Sequence, residues 1–289
     1  MLPARFEYHR PATLEEALAL LAEHGEGAKV LAGGQSLIPL MKLRFAAPDR
    51  LIDVNRIEGL DAIEESGGLL RIGGLVRHRQ LVGSQVIRDR YPTIAAAAPM
   101  ISDPLVRNLG TIGGSLAHAD PSGDLGSVMI ALGATVVARS RDGEREIPAA
   151  QLADGPFQTT LAPNELLTEV RVPAPPARSG GTYLKLERKV GDFATVAAAV
   201  FLSLEDGTIG RAGIGLTSVG LTNVRAEAAE RALAGASAGA DAFAEAARLA
   251  AEAAEPTSDV RGSADYKRHM VEVFVRRGLT AAAEMAGAG

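Results

Sequence analysis

The chain has 289 residues, 47% of them hydrophobic, and a formal net charge of −5. That length holds one large domain or two ordinary ones with a sizeable core, and the acidic balance argues against a nucleic-acid surface, which needs a basic field. There is no cysteine, which excludes disulfides, thiol nucleophiles and cysteine-ligated iron–sulfur clusters from this chain.

Thr13 and Glu16 read as a capping box, opening a helix that runs to Gly25, with Leu14, Ala17, Leu18 and Leu21 on its apolar face. Residues 29–32 read as a strand, 33–36 as a glycine turn and 37–44 as a helix that tolerates Pro39 in its first turn. A second strand is expected at 51–54. Residues 61–73 read as a hairpin with Gly67-Gly68 at its tip. Residues 77–102 are expected to be mainly helical. Asp120 and Pro121 fit the N-cap and first position of a further helix ending at Gly133. Residues 135–139 and 145–148 flank Asp142-Gly143, another hairpin signal, and 166–172 is the last strand of this half. The Pro/Gly/Ser-rich stretch 173–181 is the best boundary in the chain. Strands are expected after it at 182–187, 195–204 and 209–217. Helices follow at 223–234, 240–254 and 264–286.

Two short glycine segments carry the chemical signal. One is Ala32-Gly33-Gly34-Gln35-Ser36; the other is Thr111-Ile112-Gly113-Gly114-Ser115. Each follows an apolar stretch and precedes a helix. Paired glycines let backbone N–H groups turn toward an anion, so both segments are expected to form anion cradles, with Ser36 capping the first helix. Neither matches a P-loop or the dinucleotide fingerprint. The alternative for each is an ordinary tight turn. Asp120 reads as a helix cap, whereas Asp124 is free for a sugar hydroxyl. Lys185 lies mid-strand, where a lysine usually faces solvent, but it could bring charge to a cofactor across the sheet. Arg107, Arg188 and Lys189 could form a basic wall, although most such charges are merely solvated. The helix bearing Lys267, Arg268, His269, Arg276 and Arg277 reads as a basic face, solvated by default, with a partner surface as the sharper alternative. The histidines His9, His24, His78, His118 and His269 form no zinc-ligand spacing, so no metal site is expected. The N-terminus lacks a leader pattern, and no uncharged apolar run reaches membrane-spanning length. Both point to a soluble, cytoplasmic protein.

The segment from Ala32 to Arg44 and the segment Arg107-Asn108-Leu109-Gly110-Thr111-Ile112-Gly113-Gly114-Ser115 closely resemble the FAD-binding medium subunits of the molybdenum hydroxylases. These are the aerobic carbon monoxide dehydrogenase and xanthine dehydrogenase relatives. The resemblance extends over nearly the whole chain, including the stretch from Arg188 to Ala194 and the element from Pro256 to Gly262. It implies an α+β fold: a two-lobed FAD-binding domain of the vanillyl-alcohol oxidase type over 1–176, with lobes of about 1–55 and 56–176. A smaller α+β domain with a three-stranded antiparallel sheet and helices would occupy 177–289.

By match of motif, Ala32, Gly33, Gly34, Gln35 and Ser36 together with Thr111, Gly113, Gly114 and Ser115 would hold the FAD pyrophosphate and nearby groups. Asp124 would bind the ribityl or ribose side, Leu167 would pack on the adenine or flavin, Lys185 would hydrogen-bond near the isoalloxazine, and Ile101 would make another flavin contact. Position 35 is Gln where carbon monoxide dehydrogenases of the family typically have His. Position 193 is Phe where some relatives place a Tyr close to the flavin. The resemblance further implies no catalytic residue in this chain. Electrons would come from a [2Fe-2S] subunit, the substrate would be oxidised by a molybdopterin subunit, and FAD would hand electrons to an external acceptor. A dimer of heterotrimers is the expected assembly. The competing readings are a self-sufficient FAD-dependent oxidase or reductase of the same fold, and a partner-binding scaffold without cofactor.

Overall fold

In the computed structural model, which describes residues 2–287, the chain begins with β1 (Glu7–His9), α1 (Leu14–His24), β2 (Ala28–Leu31), α2 (Leu37–Leu43) and β3 (Arg50–Asp53). A hairpin of β4 (Ile63–Ser66) and β5 (Leu69–Gly73) follows. Next come α3 (His78–Gly83), α4 (Gln85–Arg90), α5 (Pro92–Ala97), α6 (Pro104–Leu109), α7 (Ile112–His118) and α8 (Asp124–Leu132). After these run β6 (Thr135–Ser140), β7 (Gly143–Pro148), β8 (Ala153–Gly155), β9 (Gln158–Thr159) and β10 (Leu166–Pro173). The last part holds β11 (Ser179–Leu186), β12 (Val196–Glu205), β13 (Thr208–Thr217), β14 (Val224–Arg225), α9 (Glu227–Leu233), α10 (Ala240–Glu252) and α11 (Ala264–Gly287).

The opening elements form a small parallel sheet in the order β1-β3-β2. Thr13 caps α1, its Oγ1 accepting from the Glu16 amide at 3.2 Å. The return arm of the capping box lands one residue early, because Glu16 Oε2 accepts from the Ala12 amide at 2.8 Å. Ala17, Leu18 and Leu21 bury the predicted face of α1 in a cluster with Ile52, Val54 and Leu60. The short strand β1 escaped sequence reading. Its three residues are exposed or only half-buried, so they show no apolar alternation.

The second sheet has five antiparallel strands in the order β4-β5-β10-β6-β7. Both predicted hairpins are present in it. Helices α3–α8 pack around its core, and two of their starts depart from expectation. Helix α6 was not foreseen; Asp103 caps it by accepting from the Val106 amide at 2.9 Å, with Pro104 at its first position. Helix α8 begins at Asp124 after Gly123, not at Pro121. Asp120 instead caps a local turn, accepting from the Ser122 amide at 2.8 Å. This side-chain turn is the competing use of aspartate that propensity alone cannot separate from a helix cap.

The third sheet is antiparallel in the order β11-β12-β13-β14. It has four strands where three were expected. The extra one, β14, is two residues long and pairs with Gly215 and Leu216. Strand β12 reads as one continuous apolar run because both of its faces are buried. Ala197, Ala199 and Phe201 join the core of the five-stranded sheet and α8. Val196, Ala198, Val200 and Leu202 join a second core under α9–α11. Helix α8 lies directly on the backbone of β13. A Cβ at Gly213 would come within 1.9 Å of the Ala131 carbonyl oxygen, and one at Gly215 within 2.0 Å of that of Ser127. The two cores are thereby locked face to face across one sheet.

The expected basic face of α11 is not wholly solvated. Lys267 is buried, with its Nζ 2.8 Å from Asp259 Oδ2 and 2.9 Å from the Thr257 carbonyl. No helix among the described residues is long and apolar enough to cross a membrane.

Candidate flavin site

The fold packs the first glycine segment against the backbone of Leu109 and Gly110, which leads directly into the second. The first follows β2 at the edge of the parallel sheet; the second caps and opens α7 against the five-stranded sheet. A Cβ on Gly33 would sit 2.5 Å from the Leu109 carbonyl oxygen and 2.7 Å from Gly110 Cα. No residue but glycine fits there.

The first segment offers free donors. The amides of Gly33, Gly34, Gln35, Ser36 and Leu37 donate to no acceptor among the described residues. Ser36 does not cap α2, contrary to expectation: its backbone is helical, φ −106° and ψ −49°, and its side chain makes no cap hydrogen bond. The Gln35 side chain turns back on its own loop, Nε2 donating to the Gly33 carbonyl at 3.2 Å. Five successive unpartnered N–H groups beside a glycine with no room for a side chain form an anion cradle.

The second segment differs from the expected cradle. Its amides are already used by the protein. Ile112 donates to the Val76 carbonyl and Gly113 to that of Gly74, both at 3.0 Å. Gly114 donates to Thr111 Oγ1 at 3.0 Å, and Ser115 to the Thr111 carbonyl at 3.0 Å. Thr111 is thus the N-cap of α7. Gly113 is needed for packing, since a Cβ there would meet Gly74 O at 2.6 Å. Gly114 is exposed and Ser115 half-buried, so what this segment presents outward is the Ser115 hydroxyl and a bare backbone.

Beneath the second segment lies His78. Its backbone amide donates to the Gly110 carbonyl at 3.0 Å, and its ring fills the space a Gly110 side chain would need. Burial, with Arg107 and Arg77 adding repulsion, pushes its pKa down from 6.5 to about 4. The unfolded chain therefore binds a proton that the native chain refuses between those values. Stability is lost as pH falls from 6.5 toward 4, by roughly 3 kcal/mol at the low end. Urea melts at pH 7.5 and pH 5 will show this slope, and a His78→Gln variant will lack that share of it.

A second group of predicted residues converges around the start of α8. Asp124 is buried and accepts from the Tyr183 hydroxyl at 2.6 Å. Lys185 Nζ reaches Asp124 Oδ2 at 3.2 Å, the Met100 carbonyl at 3.0 Å and Glu187 Oε2 at 3.4 Å. Its side chain is 1% exposed, so the default of a solvent-facing lysine is overturned. Tyr183 and Lys185 share one face of β11, two residues apart, and α8 delivers Asp124 to that face. Burial pushes the Asp124 carboxyl above its ordinary value even though Lys185 and Tyr183 draw it down. Burial and the neighbouring carboxylate raise the Tyr183 phenol well above 10.0.

Ile101 follows the turn that ends at Met100, and its carbonyl accepts from Arg107 Nη1 at 2.9 Å. Arg107 is thereby spent inside the protein, and Arg188 is paired with Asp192 at 3.1 Å, so no continuous basic wall forms. Leu167 is buried in β10 at a register shift, with its carbonyl against Gly74 and hence beneath Gly113. Sequence reading missed Asn55, Arg77 and Glu187, single polar residues outside any motif.

Comparison with known proteins accounts for this arrangement. Residues 4–175 match the family described as FAD binding domain in molybdopterin dehydrogenase. Residues 181–282 match the CO dehydrogenase flavoprotein C-terminal domain. The carbon monoxide dehydrogenase medium chain of Hydrogenophaga pseudoflava is 44% identical over 98% of both chains. The caffeine dehydrogenase subunit beta of a Pseudomonas species is 34% identical over 98% of this chain and 97% of that one. A solved structure of the Hydrogenophaga carbon monoxide dehydrogenase lacking the Mo-pyranopterin moiety superposes with a TM-score of 0.95 at 46% identity, covering 99% of each chain. The chain belongs to the FAD-binding flavoprotein subunits of the molybdopterin dehydrogenases, and is an oxidoreductase subunit.

Proposed function

We propose that this chain carries FAD as the electron-transfer subunit of a heterotrimeric molybdenum hydroxylase. Electrons arrive from a [2Fe-2S] subunit, served in turn by a molybdopterin subunit, and leave to an external acceptor. When bound, FAD supplies the reversible uptake and release of electrons, while the protein supplies position and electrostatics. The observation that carries the reading is the run of unpartnered amides from Gly33 to Leu37, with Gly33 pressed against the Leu109–Gly110 backbone that leads into the second glycine segment. In this reading those amides hold the pyrophosphate, and Ser115 and the bare backbone of Gly114 face the same group. Asp124, fixed by Tyr183 and Lys185, is assigned to the ribityl or ribose side. Lys185 is assigned to the isoalloxazine edge, and Ile101 and Leu167 to apolar contact. Such a subunit needs no general base of its own.

The division into a flavin domain over 1–176 and a second domain from 177 belongs to the same proposal, supported by the separate family matches on either side. So do assembly as a dimer of heterotrimers and a cytoplasmic location. Relatives are named for carbon monoxide and for caffeine. One flavin subunit design thus serves different donors, and donor choice is placed in the molybdenum subunit.

The test is an absorption spectrum of the chain purified alone and with its co-expressed partners. A flavin spectrum, release of FAD on denaturation, and co-purifying iron–sulfur and molybdopterin chains are expected. A colourless protein in both preparations would overturn the cofactor assignment.

A further inference from the structure

Two polar side chains outside both glycine segments join those segments through one unbroken run of hydrogen bonds. Asn55 stands two residues beyond the end of β3. Its Nδ2 donates to the Ala32 carbonyl at 2.8 Å, immediately before Gly33. Its Oδ1 accepts from Arg77 Nη2 at 2.5 Å. The other terminal nitrogen of Arg77, Nη1, donates to the Leu109 carbonyl. That carbonyl oxygen is the atom against which Gly33 packs. The run therefore starts and ends at the point where the first segment meets the backbone leading into the second, and it crosses from the parallel sheet to the five-stranded one.

The chemistry at each position is demanding. Asn55 must donate and accept with one side chain, which aspartate cannot do. Arg77 reaches two acceptors on different elements with the two terminal nitrogens of a rigid fork, a spacing that the single nitrogen of a lysine ammonium does not reproduce. The amide of Asn55 is itself oriented. Asp53 Oδ1 accepts from Asn55 Nδ2 at 2.7 Å and from its backbone amide at 3.0 Å, while Asp53 Oδ2 accepts from the Tyr8 hydroxyl. Burial raises the Asp53 carboxyl, but the hydrogen bonds from Tyr8 and Asn55 outweigh it and hold it below its ordinary value. It is thus a charged anchor at neutral pH. The bonds drawn from Asn55 Nδ2 and Oδ1 and from Arg77 Nη1 and Nη2 all end on the protein itself, so through these bonds the two residues act on the loops.

We infer that Asn55 and Arg77 are positioning residues that set the spacing of the two glycine segments, and thereby the fit of the cradle to the FAD pyrophosphate. This rests on the reading of the cradle as a flavin site.

The experiment uses the full chain, stripped of flavin and titrated with FAD by flavin fluorescence, with apoprotein melting followed in parallel. Wild type, Asn55→Ala, Arg77→Ala, Arg77→Lys and the double alanine variant are compared. Each single alanine variant is expected to weaken FAD binding at least tenfold. The double variant should be no weaker than the worse single, because either change breaks the same run. Arg77→Lys keeps the charge and stem, so it folds even if the alanine variants do not, and it too should lose tenfold because one of two acceptors is abandoned. Variants that melt lower yet bind FAD within twofold of wild type would show a merely structural role and overturn the inference, as would penalties that simply add. Failure of the wild-type chain to bind FAD at all would instead overturn the flavin reading, and the two failures are told apart by that control.

Discussion

Gly33→Ala is expected to raise the FAD dissociation constant at least about 100-fold. The new methyl would lie 2.5 Å from the Leu109 carbonyl oxygen, 2.7 Å from Gly110 Cα and 3.0 Å from the Leu109 carbonyl carbon. All three atoms are backbone, so no rotamer change relieves the contact. The two segments must part by roughly the shortfall from van der Waals separation, and overpacking of this kind costs about 1–3 kcal/mol. The apoprotein should melt several degrees lower. The larger effect falls on binding, because the free amides of the first segment are then displaced from the wall that faces them. Gly83→Ala, at the end of α3, is the control: a Cβ there meets no atom within 4 Å, so FAD binding should be retained. Fluorescence titration of both variants decides the matter: equal affinities for Gly33→Ala and wild type would show that close approach of the segments does not govern binding.

Lys185→Met is expected to be the most destabilising substitution in the site. Lys185 and Asp124 are a buried pair, and removing one partner strands the other charge, at a cost of about 3–5 kcal/mol. The cost should depend on pH in a defined direction. Burial already places the native Asp124 pKa above its unfolded value of 3.8, and Lys185 is the largest influence drawing it down. Without that lysine the native pKa rises further. A native state that binds a proton more tightly than the unfolded chain loses stability as pH rises from 3.8 through the native value. The deficit of Lys185→Met relative to wild type should therefore be widest near pH 8 and narrow toward pH 5. Pairing it with Asp124→Asn should restore most of the loss, because a neutral amide can still accept from Tyr183. Thermal melts of the single and double variants at both pH values provide the check. A deficit that is the same at pH 5 and pH 8 would mean that the stranded carboxylate is not its source.

Much of the local architecture was readable residue by residue. Thr13 and Gly25 delimit α1, Asp142-Gly143 turns the β6–β7 hairpin, and the strands of the third sheet fall within a few residues of expectation. These features rest on local chemistry: capping hydroxyls, left-handed glycines and apolar periodicity. Where several local uses of one residue compete, sequence is silent on the winner. Asp120 could cap a helix or a turn, and Ser36 could cap α2 or leave its amides free. In each case the surrounding backbone decides.

The site shows the same division more sharply. Sequence by itself identified the two glycine segments, the absence of thiol ligands and a long apolar strand at β12, because glycine, cysteine and continuous apolar character each carry a meaning independent of partners. Tertiary structure alone decided that Gly33 presses on Leu109, that the second segment spends its amides on Gly74 and Val76, and that Lys185 is buried. It alone brought Asn55 to Arg77. A hydrogen bond or a steric contact belongs to a pair of atoms. When its members lie 22 residues apart, as Asn55 and Arg77 do, or 61 apart, as Asp124 and Lys185 do, neither residue bears a local mark of the other.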